Sequence, residues 1–400
     1  LEGQNPRQLL ESRIAEVRAN PNVQVFTNAE VAEFEGSIGR FKTTIKCQVP
    51  QVSKVGSEET VTSNLELPTS NIQLEHGVTI VAIGAEQSRP TEYLYGNDSR
   101  IITQFELEEQ LSNFERRTSN VELPASITMI QCVGSRNEER PYCSRICCGQ
   151  AIKNSLKIKE LSPETEVYVL YRDVRAYGFA EAYYRKARQA GVIFLRFEDD
   201  KKPVVSNGDG RLHVTVNDAM LGQEITLEPD LLVLSAATIP HPDADQLAQK
   251  LKVPLNQDRF FMEAHMKLNP VDFATEGIFL CGMAHYPKTA LAETVSQACA
   301  VAGRAATILS KQVIGLEPVI SHINPDRCDG CAYCVDPCPF KAISLVQYQS
   351  NGDIKKRAQI DESACKGCGT CQATCPKDAV YVSHFKLAQL RAMVMAAVGK

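Results

Sequence analysis

Apolar and polar positions follow two periods along the chain, and together they predict a mixed α/β protein. Residues 5–20 place apolar side chains at helical spacing, so an amphipathic helix is predicted there, at Leu9, Leu10, Ile14 and Val17. Short strands are predicted at 23–26, 31–34 and 40–47, and a polar, irregular stretch follows at 50–72. A continuous apolar run at 77–84 that ends in glycine predicts a buried strand.

A second unit is predicted to begin at Pro124, because buried strands and helices alternate from that point. Strands are predicted at 127–133, 167–171 and 192–196, with intervening helices at 150–161 and 180–190. This order is typical of a parallel sheet with crossover helices. Later elements are predicted as strands at 211–216, around Ile225, at 231–234 and at 277–282, and as helices at 290–310 and 385–398.

Composition narrows the class of protein. The 400 residues are 44% hydrophobic and carry a formal net charge of −5, which predicts two or three globular domains and no nucleic-acid partner. No apolar run is long enough to span a bilayer and no signal peptide is visible, so we expect a cytoplasmic protein without direct membrane insertion. A start at Leu1 rather than Met suggests a fragment or a processed product.

The strongest chemical signal is a repeated cysteine run near the C-terminus. Both copies read C-x2-C-x2-C-x3-C-P, the spacing that binds 4Fe–4S clusters in bacterial-type ferredoxins. In that arrangement the fourth cysteine of each run serves the other cluster. One predicted ligand set is therefore Cys328, Cys331, Cys334 and Cys375, and the other is Cys365, Cys368, Cys371 and Cys338. Zinc sites and disulfides are the alternatives, and neither explains the duplicated proline.

A second group of cysteines lies between a predicted strand and a predicted helix. Its members are Cys132, Cys143, Cys147 and Cys148. In a doubly wound domain this position normally carries a glycine-rich phosphate loop, so the thiolates predict a third cluster at a nucleotide-type crevice. Buried or redox-regulatory thiols are the alternative. The nearby Arg136, Arg145 and Arg175 are candidates to tune its charge, although solvated surface arginines are the default. Three further cysteines are predicted to be buried, at Cys47, Cys281 and Cys299.

Two segments resemble the flavoprotein disulfide reductases of the thioredoxin reductase class. These are VTIVAIGA at 78–85 and GIFLCGMAHYPKTALAETVSQACAVAG at 277–303. The resemblance implies flavin contacts at Gly84, Gly282, Met283, Glu293, Thr294 and Val295. Met283 stands where that family usually has Asp, and no G-x-G-x-x-G is present, so the FAD diphosphate unit is expected from another segment or chain. Lys288, His265 and His285 are candidate proton or flavin-edge residues, for which surface or structural roles are the favoured alternative.

The combined motifs resemble the A subunit of CoB–CoM heterodisulfide reductase and its bacterial relatives. The resemblance rests on QCVGSR…YCSRICC, IITQFELEEQL at 101–111, GIFLCG…PKTALAETVSQA and the double cysteine run. It implies that Cys132, Cys143, Cys147 and Cys148 hold a third 4Fe–4S cluster and that FAD is bound. It also implies B- and C-type reductase subunits as partners, and a hydrogenase, formate dehydrogenase or ferredoxin as the electron donor.

The predicted architecture is a thioredoxin-reductase-like fold of two dinucleotide domains followed by an α+β ferredoxin domain. Residues 1–123 are assigned to a partial FAD-binding domain that 236–315 complete, and 124–235 to an NAD-domain-like unit with the inserted iron–sulfur site. Residues 316–384 are assigned to the ferredoxin domain and 385–400 to a docking helix. The predicted function is an oxidoreductase subunit that relays electrons, with bifurcation left open. A flavin-free iron–sulfur wire on a flavoprotein scaffold is the alternative, and a zinc adaptor is disfavoured.

Overall fold

The structure is a computed structural model that describes residues 6–48, 69–115, 123–315, 318–350 and 353–399. The N-terminal elements are α1 (Pro6–Ala19), β1 (Ala29–Ser37), β2 (Arg40–Gln48), β3 (Thr69–His76), β4 (Thr79–Val81) and β5 (Ala85–Gln87). Strands β1, β2 and β3 form an antiparallel sheet. The strand predicted at 23–26 is absent, because these residues follow the turn after α1 in open chain. Most of the polar stretch predicted at 50–72 lies outside the described residues.

The central elements build the sheet that carries Cys132, Cys143, Cys147 and Cys148. Counted after the two C-terminal runs, these four residues are called the third cysteine group. They are β6 (Ile101–Thr103), α2 (Gln104–Glu115), β7 (Ser126–Val133), α3 (Cys147–Leu161), β8 (Glu166–Tyr171), α4 (Glu181–Gln189), β9 (Ile193–Arg196), β10 (Val204–Gly208), β11 (Arg211–Asp218), β12 (Gln223–Leu227), β13 (Leu231–Ala236) and β14 (Thr238–Pro240). Five of the strands form a parallel sheet in the order β6-β13-β7-β8-β9.

Strand β13 lies inside this sheet, which explains its composition. All its residues are buried, and Leu232, Val233 and Leu234 have no exposed surface. A strand covered on both faces reads as a continuous apolar run. The same sheet takes β6 from residues that precede Pro124, where the sequence predicts a new unit to begin. The sequence pattern did not predict β6, because three residues are too few for a periodicity to be recognised.

The remaining elements complete the body and form a small C-terminal module. They are α5 (Ala244–Leu251), β15 (Ile278–Leu280), α6 (Leu291–Leu309), β16 (Ser321–Ile323), β17 (Ile343–Ser350), β18 (Asp353–Ile360), α7 (Thr370–Thr374), β19 (Val380–Val382) and α8 (Leu387–Ala397). The apolar runs at 77–84 and 277–282 pair in parallel, but only as the short strands β4 and β15. Gly84 and Gly282 have φ of 80° and 72°, so the chain turns at both glycines and the strands end before them.

The C-terminal module is a pseudosymmetric pair of halves. Strand β16 pairs antiparallel with β19, and β17 pairs antiparallel with β18, so each half lends a strand to the other. The module contacts the body through Ser363, whose hydroxyl donates to Ser37 Oγ at 2.6 Å, and through an ion pair of 2.8 Å between Lys366 and Glu276. These contacts attach the half that contains the second cysteine run.

Candidate functional site

The two cysteine runs of the C-terminal module receive the same backbone hydrogen bonds. The first cysteine of each run accepts an N–H from a strand of the other half, from Ala358 to Cys328 Sγ at 3.4 Å and from Ser321 to Cys365 Sγ at 3.4 Å. The fourth cysteine accepts one from four residues further along, at 3.4 Å for Cys338 and 3.3 Å for Cys375. Such N–H···S contacts stabilise anionic sulfur and tune cluster potentials.

The electrostatic neighbours of the buried thiols cross between the two runs. Burial raises the pKa of Cys334 to about 11, and the thiolates of Cys328, Cys371 and Cys375 add to this. Burial also raises the pKa of Cys371, against a hydrogen bond from Ser321, and Cys365 and Cys338 raise it further. The fourth cysteine of each run is thus a neighbour of the other run, as the crossed ligand assignment requires.

The third cysteine group also converges in space. Cys147 and Cys148 occupy the first two positions of α3, which begins earlier than predicted, and Cys132 lies near the end of β7 with a φ of 63°. Each of the two helix cysteines interacts electrostatically with Cys132 and Cys143. Burial raises the pKa of Cys147, and it raises the pKa of Cys148 to about 11. Burial raises the pKa of three of these thiols, those of Cys132, Cys147 and Cys148, and bound iron would stabilise their thiolate forms, so the group fits a cluster.

Polar groups around this third group suit anionic sulfur. The N–H of Arg145 donates to Cys143 Sγ at 3.2 Å, and Arg136 Nη1 lies 4.0 Å from Cys132 Sγ. Helix α3 begins at Cys147 without a side-chain cap, and the N-terminus of a helix favours negative charge nearby. Arg136 also pairs with Asp173 at 2.5 Å, and Arg175 lies 3.5 Å from the same carboxylate. The two arginines are therefore partly neutralised.

No group of three or more His, Cys, Asp or Glu side chains in the described part of the chain is arranged to hold a single metal ion. A four-iron cluster is larger and takes one thiolate at each iron, so its ligands stand further apart.

Of the remaining cysteines, Cys47 and Cys281 are buried as predicted. The prediction for Cys299 was wrong: it is exposed, because it lies on the outer face of α6.

The predicted flavin contacts lie in the loop between β15 and α6 and in the first turns of α6, a segment called the flavin edge. The N–H of Gly282 donates to Gln297 Oε1 at 2.8 Å, and Met283 follows it in a short 3-10 turn. Helix α6 has no side-chain cap at its N-terminus, where Thr294 and the 47% exposed Val295 lie. Unbonded N–H groups at a helix start favour negative charge, so this end suits the pyrimidine edge of a reduced flavin.

Lys288 is the most unusual residue of this loop. Its side chain is only 2% exposed, Nζ has no hydrogen-bond partner among the described residues, and it lies 3.2 Å from the centroid of the Tyr286 ring. Burial lowers its pKa to about 8. A buried amine without a partner is costly unless a ligand supplies an acceptor. The residue therefore fits a flavin contact.

Glu293 is held by four donors. Its carboxylate accepts hydrogen bonds from the Thr289 N–H at 3.0 Å, Thr289 Oγ1 at 2.9 Å, Tyr286 Oη at 3.2 Å and Arg145 Nη1 at 3.1 Å. Burial raises its pKa, but the hydrogen bonds from Thr289 and Arg145 bring it below the usual value. No pattern in the sequence marks the Arg145 contact, since the two residues are 148 positions apart.

The two histidine candidates have structural partners. His285 is buried, with Nε2 2.7 Å from Glu263 Oε2 and Nδ1 2.7 Å from Gln297 Nε2. His265 Nδ1 accepts backbone N–H groups from Lys267 and Leu268, both at 3.2 Å, and so closes a turn. Gly84 has open space around it, with no described atom within 4 Å of the position of a Cβ.

A cavity of about 390 Å³ lies where the third cysteine group approaches the flavin edge. Its lining comes from both sides and from the segment before β15, at Tyr142, Cys143, Arg145, Arg175, Tyr177, Asn256, Asp258, Phe260, Tyr286, Pro287 and Thr289. The structure therefore brings together two predicted sites that the sequence places far apart.

Comparisons with known proteins support the iron–sulfur chemistry of the C-terminal module. A family profile described as a 4Fe-4S dicluster domain matches residues 327–379, and the C-terminal module is therefore a dicluster domain. The iron-sulfur A subunit of the CoB–CoM heterodisulfide reductase of Methanocaldococcus jannaschii is 32% identical over 85% of this chain and 62% of its own length. The chain is a relative of the heterodisulfide reductase A subunits. One from Methanopyrus kandleri is 40% identical over 69% of this chain and 44% of its own length.

The chain spans only part of these A-subunit relatives. It matches 44% of the A subunit of the H(2):CoB-CoM heterodisulfide,ferredoxin reductase of Methanothermobacter marburgensis, at 38% identity over 71% of this chain. Among solved structures, thioredoxin reductases of T. acidophilum and Lactococcus lactis align with TM-scores of 0.44 and 0.43, both at 13% identity. They cover 76% and 70% of this chain, and it covers 81% and 74% of theirs. None of the described helices combines the length and apolar character needed to cross a bilayer.

Proposed function

We propose that the chain is an oxidoreductase subunit that relays electrons through three 4Fe–4S clusters and an FAD. The observation that carries this proposal is the junction at Arg145, where the loop of four close thiols contacts the predicted flavin edge. A flavin exchanges electrons in pairs and a cluster exchanges them singly, so their proximity suits conversion between the two. The redox potentials of the two centres decide whether the electron pair bifurcates.

The proposed flow runs between a donor module and B- and C-type reductase subunits. Relatives whose names include ferredoxin, H2 or formate support a ferredoxin, a hydrogenase or a formate dehydrogenase as the donor. In the dicluster domain, Cys331 and Cys368 are exposed whereas Cys334 and Cys371 are buried. The exposed ligands provide a place where electrons enter from a partner. The many thiolate ligands favour a reducing cytoplasm.

The FAD is proposed to be completed by a unit outside the described residues. Among these residues β4 pairs only with β15, which leaves its other edge open. Helix α6 exposes Leu291, Val295 and Cys299, which recur every four residues along one face. An open parallel strand edge and an exposed apolar helix face are both surfaces that a β–α–β unit from another segment or chain would cover. The exposed apolar side chains of α8 fit the proposed docking helix in the same way.

Stepwise reduction of the anaerobically isolated complex tests the proposal. We expect H2, formate or reduced ferredoxin, each with its cognate module, to bleach the flavin absorption and to generate cluster EPR signals together. The alternative, an iron–sulfur wire without flavin, predicts the EPR signals alone. It is favoured by one observation, the lack of a G-x-G-x-x-G diphosphate-binding motif in this sequence. A complex that gives neither signal contradicts both functions.

A further inference from the structure

Arg145 connects the loop of the third cysteine group to the flavin edge through both its backbone and its side chain. Its N–H donates to Cys143 Sγ at 3.2 Å. Its Nη1 donates to the Pro287 carbonyl at 2.9 Å and to Glu293 Oε1 at 3.1 Å. The guanidinium also lies over the Tyr286 ring, with Cζ 5.1 Å from the centroid. One residue therefore contacts a predicted cluster ligand and three residues of the predicted flavin edge.

The backbone of Arg145 is in a conformation that a long side chain rarely adopts. Its φ is 60°, in the left-handed region where Gly and Asn are favoured and other residues are strained. This conformation directs the N–H toward Cys143 while the side chain reaches the opposite loop. Glycine would satisfy the backbone alone, so the presence of arginine indicates that the side-chain contacts matter.

The charges at this junction are arranged as a pair. Glu293 lies in the first turn of α6, close to the proposed flavin edge, and Arg145 is its ion-pair partner, with the two side chains 27% and 30% exposed. Without the guanidinium, less of the negative charge of this carboxylate would be compensated beside the site where a reduced flavin gains electron density. Partial burial keeps such a charge effective, because little solvent screens it.

We propose that Arg145 is a positioning residue that raises the redox potential of the third cluster and that of the flavin together. It fixes the flavin loop against the cysteine loop and offsets the charge of Glu293. This inference rests on the proposed function, since it needs both redox centres.

The variant Arg145→Gly separates the two roles of the residue. Glycine keeps the left-handed backbone and the N–H that donates to Cys143, while the ion pair and the contact with the Pro287 carbonyl are lost. Arg175→Gln is the charge control, because Arg175 lines the same cavity and its ion pair is with Asp173 rather than with the described 286–293 loop. Arg145→Lys tests rescue, since it retains the charge without the fork of donors.

Redox titrations of the complex, followed by EPR for the cluster and by absorbance for the flavin, give the first readout. We expect Arg145→Gly to lower both potentials, the flavin by at least a tenfold change in its oxidised-to-reduced ratio, about 30 mV for a two-electron couple. Arg175→Gln should lower the cluster potential only, and Arg145→Lys should restore much of the flavin potential. Equal effects of Arg145→Gly and Arg175→Gln, confined to the cluster, would overturn the inference.

Hydrogen exchange of the same complex gives a second readout that does not depend on activity. The Thr289 N–H donates to Glu293, so its exchange should accelerate in Arg145→Gly and in Glu293→Gln. The double variant should exchange no faster than the quicker single variant, because both changes remove one shared contact. Unchanged exchange in Arg145→Gly would also overturn the inference. A wild-type complex without flavin would refute the proposed function itself, which is a different outcome from a flavin-bound complex in which Arg145→Gly affects only the cluster.

Discussion

Gly330 and Gly367 occupy the same position in the two cysteine runs, and each lies against the backbone of a strand or segment from the other half. A Cβ on Gly330 would stand 2.5 Å from the carbonyl oxygen of Lys356, and one on Gly367 would contact the carbonyl oxygen of Val319. Their φ values are 75° and 61°. Only glycine allows the segments that donate N–H groups to Cys328 and Cys365 to come this close.

Substitution of either glycine should disrupt the dicluster domain. Gly367→Ala combines a left-handed backbone, which costs roughly 1–2 kcal/mol, with a clash against rigid main chain. We expect loss of iron from the domain and a lower unfolding temperature, measured by iron assay and by thermal unfolding followed by cluster absorbance.

Ala332 provides the matched control for this prediction. It stands where the second run has Gly369, and both have positive φ, 68° and 80°. Ala332→Gly should leave iron content unchanged and should stabilise slightly, because relief of the left-handed strain exceeds the roughly 0.4–1 kcal/mol lost through greater freedom of the unfolded chain. If Gly367→Ala retained full iron, the close approach of the two halves would not be required for cluster binding.

Removal of single cysteines should divide the iron content by site. Cys148→Ser is expected to lower iron by about four atoms from a total of about twelve, since it removes one ligand of the third site only. Cys299→Ser is the control, because Cys299 is exposed on α6 and has no predicted ligand role. Iron and acid-labile sulfide per chain are the measurements. An equal iron content in Cys148→Ser and wild type would remove Cys148 from the ligand set.

Lys288 should give the flavin-free chain a characteristic pH dependence of stability. Burial lowers its pKa from 10.5 to about 8, so between these values the unfolded chain binds a proton that the folded chain has lost. The free energy of unfolding should therefore rise with pH across this window. Below about pH 8 both states are protonated and the full cost of the buried charge is present.

The variant Lys288→Met removes this cost. It should be more stable than wild type at pH 7, and the difference should shrink as pH rises from about 8 toward 10.5. Urea unfolding at several pH values is the measurement. Lys311→Met is the control, because it makes the same Lys-to-Met exchange at an exposed lysine just after α6 and leaves the buried amine in place. A stability difference between Lys288→Met and wild type that is constant with pH would show that the amine is not buried as a charge.

The sequence predicted most of the elements that periodicity and spacing define. The five predicted helices and the apolar strands such as β13 formed near their expected positions, because each carries its own local pattern. The iron–sulfur runs were recognisable for a related reason, since a cubane imposes a fixed local spacing on its ligands. Cluster binding at the third group and the flavin contacts stay predictions.

The contacts between units were not predictable in this way. Arg145 and Glu293, or Ser37 and Ser363, meet only after the chain has folded, and no local pattern marks either pair. For Cys299 the sequence predicted a burial that the structure does not show. A small apolar residue in a helix of small residues indicated burial, yet the helix face that carries it has no partner among the described residues. Burial of a helix depends on which neighbours are present, and periodicity reports only that a face exists.

The most direct test of the electron relay is the count of iron and flavin in the anaerobically isolated complex, combined with the intact mass of this chain. We predict about twelve irons per chain, for three four-iron clusters, together with FAD. About eight irons would contradict the third cluster at Cys132–Cys148, and iron without any flavin would contradict the relay in favour of a plain iron–sulfur wire.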